Sequence, residues 1–95
     1  MMEKQSLDFI KGYVFSKVED RIKHAHVNKV ERMPPVYVHV PKLWFGLRPI
    51  KSELEDLIPS IRFDLLASLG KLCEAYNSEQ SVYAFYIAVE PDEQY

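Results

Sequence analysis

The run Val82-Tyr83-Ala84-Phe85-Tyr86-Ile87-Ala88-Val89 constrains this chain more than any other feature. It is far short of the roughly 20 apolar residues a helix needs to cross a bilayer. It also lacks the polar positions of an amphipathic helix or a half-exposed strand. The run is therefore predicted as a strand with both faces candidates for burial, ended by Pro91. Covering two faces takes two layers, and the chain has only 95 residues. A domain of this size buries roughly 60–65% of its unfolded surface, so its core is thin. The expectation is that a second subunit or a partner protein shields part of this strand.

A second strand is predicted at Val36-Tyr37-Val38-His39-Val40, where the three valines share one face and Tyr37 and His39 the other. Pro41-Lys42 interrupts it, and Leu43-Trp44-Phe45 is a candidate for a further short strand before Gly46. Ahead of these lies a long amphipathic helix, with Ser6 as N-cap and Asp8 in its first turn. Leu7, Ile10, Val14, Val18, Ile22 and Ala25 recur at three- and four-residue steps along it, widened by Phe9, Tyr13 and Phe15. Lys17, Arg21 and Lys23 fill the remaining surface, and Pro34-Pro35 stops any helix reaching that far.

Ser52-Glu53-Leu54-Glu55 has the form of a capping box for a short helix that Pro59 breaks or kinks. Ser60 would cap a further helix to about Asn77, with Ile61, Leu65, Leu69, Leu72, Cys73 and Tyr76 as its core stripe. The predicted fold is a single small α+β domain over residues 1–95, in the order α–β–(β)–α–α–β. It has two or three strands with helices packed on one face, and an acidic tail at 90–95 expected to be mobile.

No catalytic or metal signature is present. His24 and His26 stand two apart, which on a helix turns them about 200° from each other, and nothing nearby completes a metal set with His39. Cys73 lies on an apolar stripe, which suits a buried, inert thiol, and as the only cysteine it fits a reducing, cytoplasmic setting. With three glycines, a phosphate-cradling loop has little to be made from. The N-terminus does not resemble a secretory signal, and no membrane span is expected. Neither a cofactor nor a metal is expected, and the chain leans away from enzymes.

Charge is unevenly spread. Residues 1–51 carry ten Lys/Arg against five Asp/Glu, whereas residues 52–95 carry two against nine. This division suits a basic face for an acidic partner, or head-to-tail pairing of two copies. Residues 39–51 add Lys42, Trp44, Phe45, Arg48 and Lys51, with no acidic side chain among them. Trp and Arg dominate protein-binding hot spots, so these five are the candidate partner-binding residues, and Tyr37, Tyr83 and Phe85 are candidates for a dimer interface. The function expected is a small interaction module: a homodimer, adaptor, subunit or inhibitor acting through an aromatic and basic surface. The alternative is a nucleic-acid binder using residues 39–51 and the basic end of the first helix, since cations beside stacking rings also serve single strands.

Overall fold

The computed structural model describes residues 4–31, 33–46, 51–76 and 86–92. Helix α1, Leu7–Val27, begins where Ser6 adopts extended dihedrals and its hydroxyl accepts the Phe9 N–H at 3.1 Å. Ile10, Val14, Val18, Ile22 and Ala25 are its buried residues, so the stripe read from their spacing is the packed face. Leu7, in the first turn, stays exposed. At the other end Lys29 takes a left-handed conformation, φ 55°, and the chain reverses. The Val30 N–H reaches the Ala25 carbonyl and the Lys29 N–H the His26 carbonyl, a Schellman closure that satisfies carbonyls the helix would otherwise leave open.

Strand β1, Val36–Pro41, alternates as its sequence does, with Val36, Val38 and Val40 buried and Tyr37 and His39 exposed. Residues 42–45 do not form a third strand. They coil into a short 3-10 helix, Lys42–Phe45, closed by the Gly46 N–H on the Leu43 carbonyl at 3.1 Å. Two local causes act together. Gly46 supplies the positive φ of 78° that the turn needs, and coiling drives Phe45 into the core, where it is fully buried.

The two helices expected on either side of Pro59 are one, α2, Lys51–Tyr76, and Ser52 lies inside it instead of capping it. Proline removes the bond to the carbonyl four residues back, here Glu55. Glu55 and Pro59 both lie on the exposed side, where water can serve that carbonyl. Helical dihedrals break instead at Gly70 (φ 17°, ψ −88°).

Strand β2, Ile87–Asp92, pairs with β1 in parallel, Val36 opposite Ile87 and Val40 opposite Pro91. Pro91 therefore sits within the strand and does not end it, and residues 90–92 of the acidic tail belong to the sheet. The Val36 N–H donates to the Tyr86 carbonyl at 2.9 Å. From that bond the alternation of a parallel ladder turns the backbone groups of Val38 and Val40 toward β2, and those of Ile87, Val89 and Pro91 away from β1. The donor that Pro91 lacks belongs to the side with no ladder to break. The rest of the predicted strand, 82–85, lies outside the described residues.

Both helices pack on one face of the sheet. Val36, Val38, Val40, Ile87 and Val89 meet the α1 stripe, Phe45, and Leu57, Ile61, Leu65 and Cys73 of α2 in a single apolar core. The architecture is a small α+β domain, with two long helices on a two-stranded parallel sheet among the described residues.

Candidate partner-binding surface

Alternation leaves the second face of the sheet to Tyr37 and His39 of β1 and to Tyr86, Ala88 and Glu90 beside them. Tyr37 and Tyr86 meet edge to face, with ring centroids 6.2 Å apart, yet remain 52% and 49% exposed. His39 and Glu90 are cross-strand partners, with Nδ1 3.6 Å from the carboxylate, an ion pair only while the imidazole is protonated. Among the described residues no layer covers this face.

The outer edge of β1 is open in the same sense. Because the Val36 backbone groups turn toward β2, those of Tyr37 and His39 point outward, and no described strand pairs with them. Pro41, next in that alternation, contributes a carbonyl only. Alongside this edge runs α1, and a groove of ≈ 190 Å³ lies between them. Its helical wall is Tyr13, Lys17 and Arg21, one residue from each successive turn, and its floor is β1 from Val36 to His39.

The electrostatics of the groove are one-sided. Lys17 Nζ lies 5.4 Å from the Tyr13 ring centroid, within the range of a cation–π contact. Elsewhere on α1 the cations are matched, Lys11 with Asp64 of α2 at 2.7 Å and Lys23 with Glu19 at 3.9 Å. Among the described residues neither Lys17 nor Arg21 has a carboxylate partner, and none lines the groove.

The residues singled out by sequence fall into three groups. Trp44 is half-buried, held edge-on between Phe9 (5.3 Å) and Tyr13 (5.2 Å), and Phe45 is in the core, so both rings join the 3-10 turn to α1 and the sheet. Lys42 and Lys51 are exposed, at the start of that turn and of α2. Tyr37 is on the open face. Arg48, Tyr83 and Phe85 lie outside the described residues. Tyr13, Lys17, Arg21 and Tyr86 are the additions, of which the sequence pointed only to Arg21, at the basic helix end of the nucleic-acid alternative. The four-residue step of the first three was visible, but not that this face of the helix borders an unpaired strand.

Among the described residues no three His, Cys, Asp or Glu side chains converge as a metal set, and no helix is long and apolar enough to cross a membrane. The Cys73 thiol is buried against the Leu65 carbonyl (3.6 Å), and burial pushes its pKa up from the ordinary 9.0, which disfavours the reactive thiolate. Among the described residues the exposed groups are two rings, the outward backbone of the alternate residues Tyr37 and His39 with no strand beside it, and two cations without a carboxylate partner, a set suited to binding. Comparison with family models, curated proteins and solved structures finds no match for this chain.

Proposed function

We propose that this chain is a small protein-interaction module of the cytoplasm, a homodimer, adaptor, subunit or inhibitor, that binds through the open side of its two-stranded sheet. The observation supporting this is the half-exposed Tyr37–Tyr86 pair on a face that no described element covers. A tyrosine presents about 200 Å² of buriable surface, so half of each ring pair amounts to about 200 Å² in all. At about 25 cal/mol per Å² that is a gross gain of about 5 kcal/mol before association costs. It is enough to anchor an interface once backbone pairing is added.

The nucleic-acid reading draws on Lys17, Arg21 and Tyr13 more than on residues 39–51, whose two rings are engaged in packing. Two phosphate contacts give a single-strand salt slope of only about −1.4, a weak electrostatic basis for that function.

The test is p-benzoylphenylalanine in place of Tyr37, irradiated in purified protein and in an extract of the native host. The expected result is a protein adduct, either a second copy or another chain, that excess unmodified protein competes away. Absence of any competable protein adduct, with light scattering giving a monomer at micromolar concentration, refutes the module.

A further inference from the structure

Resting on that reading, we infer that the outer edge of β1 receives an acidic segment of the partner protein, which adds in extended form as a third strand and sets alternate carboxylates against Lys17 and Arg21. Strand addition needs unpaired backbone groups on an edge and side-chain sites at a two-residue period. Tyr37 and His39 supply the first, since their N–H and C=O groups face away from β2. The wall of α1 supplies the second. Lys17 and Arg21 are four residues apart on a helix, about 6 Å along its axis. Alternate residues of an extended chain are about 6.6 Å apart. A Glu-x-Glu or Asp-x-Asp pattern therefore places its carboxylates in step with the two cations.

Charge selects the occupant. Among the described residues the groove holds two cations and no carboxylate. The neighbouring acids of α1 do not compete for them. Glu19 is engaged by Lys23, and Asp20, three residues from Lys17 and next to Arg21, forms an ion pair with neither among the described residues. A second copy pairing β1 against β1 would bring the Lys17 and Arg21 sets of both protomers together, which is repulsive. Each edge carries one proline on its open side, Pro41 and Pro91, so charge decides between them: among the described residues the surface beside β2 sets Glu55 against Lys51, whereas that beside β1 carries Lys17 and Arg21 with no carboxylate. Past Arg21 the groove meets a hollow of ≈ 150 Å³ between Ala25, Val30 and Met33, which would take an apolar residue at one end of the bound segment.

The probes are two blocked, fluorescein-labelled hexapeptides, one alternating valine with glutamate and the other valine with lysine, titrated by anisotropy into the full chain at low salt. The glutamate peptide is expected to bind at least tenfold more tightly than the lysine peptide, and to shift the amide resonances of Tyr37 and His39. The exposed double reversal K17E/R21E, with native circular dichroism, is expected to invert that preference. Equal binding of both peptides, or an unchanged preference in the reversal variant, overturns the proposal. So does tighter binding of an oligothymidylate of matched length, or peptide binding that leaves both amides unmoved. A peptide failure with the position-37 adducts intact removes strand addition alone. Loss of both removes the interaction module as well.

Discussion

Replacing Trp44 with alanine separates a structural tryptophan from a partner hot spot. The ring is held between Phe9 and Tyr13 in two edge-to-face contacts, at 5.3 and 5.2 Å. Each such contact is worth about 0.5–1.5 kcal/mol beyond area. The covered half of the indole adds on the order of 100 Å², or about 2.5 kcal/mol at 25 cal/mol per Å². Incomplete separation of these contributions, and relaxation of Phe9 into the space, bring the expected loss to about 3–4 kcal/mol, within the range for such truncations. The assay is urea unfolding followed by circular dichroism at 222 nm. Since a domain of this size has only about 5–14 kcal/mol to lose, Trp44→Leu serves as the milder companion, with an expected loss of about 2 kcal/mol as the ring pairs disappear. A double-mutant cycle with Phe9→Ala should recover about 1 kcal/mol of coupling. A loss below about 0.5 kcal/mol for Trp44→Ala refutes the packing argument, because truncations with no structural role fall in that range.

Three further outcomes follow from single residues. Lys29→Gly removes the cost of a left-handed Lys29 (φ 55°) and is expected to raise stability by about 1 kcal/mol, or a melting temperature about 4–8 °C higher. Cys73 should react with a thiol reagent in denaturant and not in the native protein. Its raised pKa means that the unfolded chain releases its thiol proton at a pH where the folded chain retains it. This contribution is therefore intact below pH 9.0 and declines as pH rises beyond it, by up to about 1.4 kcal/mol per pH unit, and comparison with Cys73→Ala in alkaline urea melts isolates it. Pro91→Val should leave urea stability within about 0.5 kcal/mol and increase self-association in sedimentation velocity, since it adds a donor to the open side of β2 without touching the ladder.

The long helix and the alternating strand were legible because each is buried on one side only. A stripe such as Ile10-Val14-Val18-Ile22 or Val36-Val38-Val40 states its period directly in the sequence. The prolines were legible as interruptions and misleading as boundaries. Pro59 and Pro91 each delete a donor, and whether that ends an element depends on which way the deleted bond would have pointed, a matter of tertiary surroundings. Residues 42–45 had strand-like composition, but the positive φ at Gly46 and the burial of Phe45 made them a turn. The candidate surface was half legible. Tyr37 could be placed on a polar face from alternation alone, whereas Lys17 and Arg21 are ordinary helix cations until β1 is seen lying beside them with its edge unpaired.

The parallel pairing of β1 with β2 also orders events during synthesis. Val36 has no hydrogen-bonded neighbour until Tyr86 and Ile87 have been made, with all of α2 coming between. A hairpin can close as soon as it is translated, but this sheet must wait for a distant segment, and such nonlocal contacts slow folding. Until then the nascent chain holds a valine-rich strand with both margins bare, which makes the interval before residue 87 emerges its most vulnerable to aggregation.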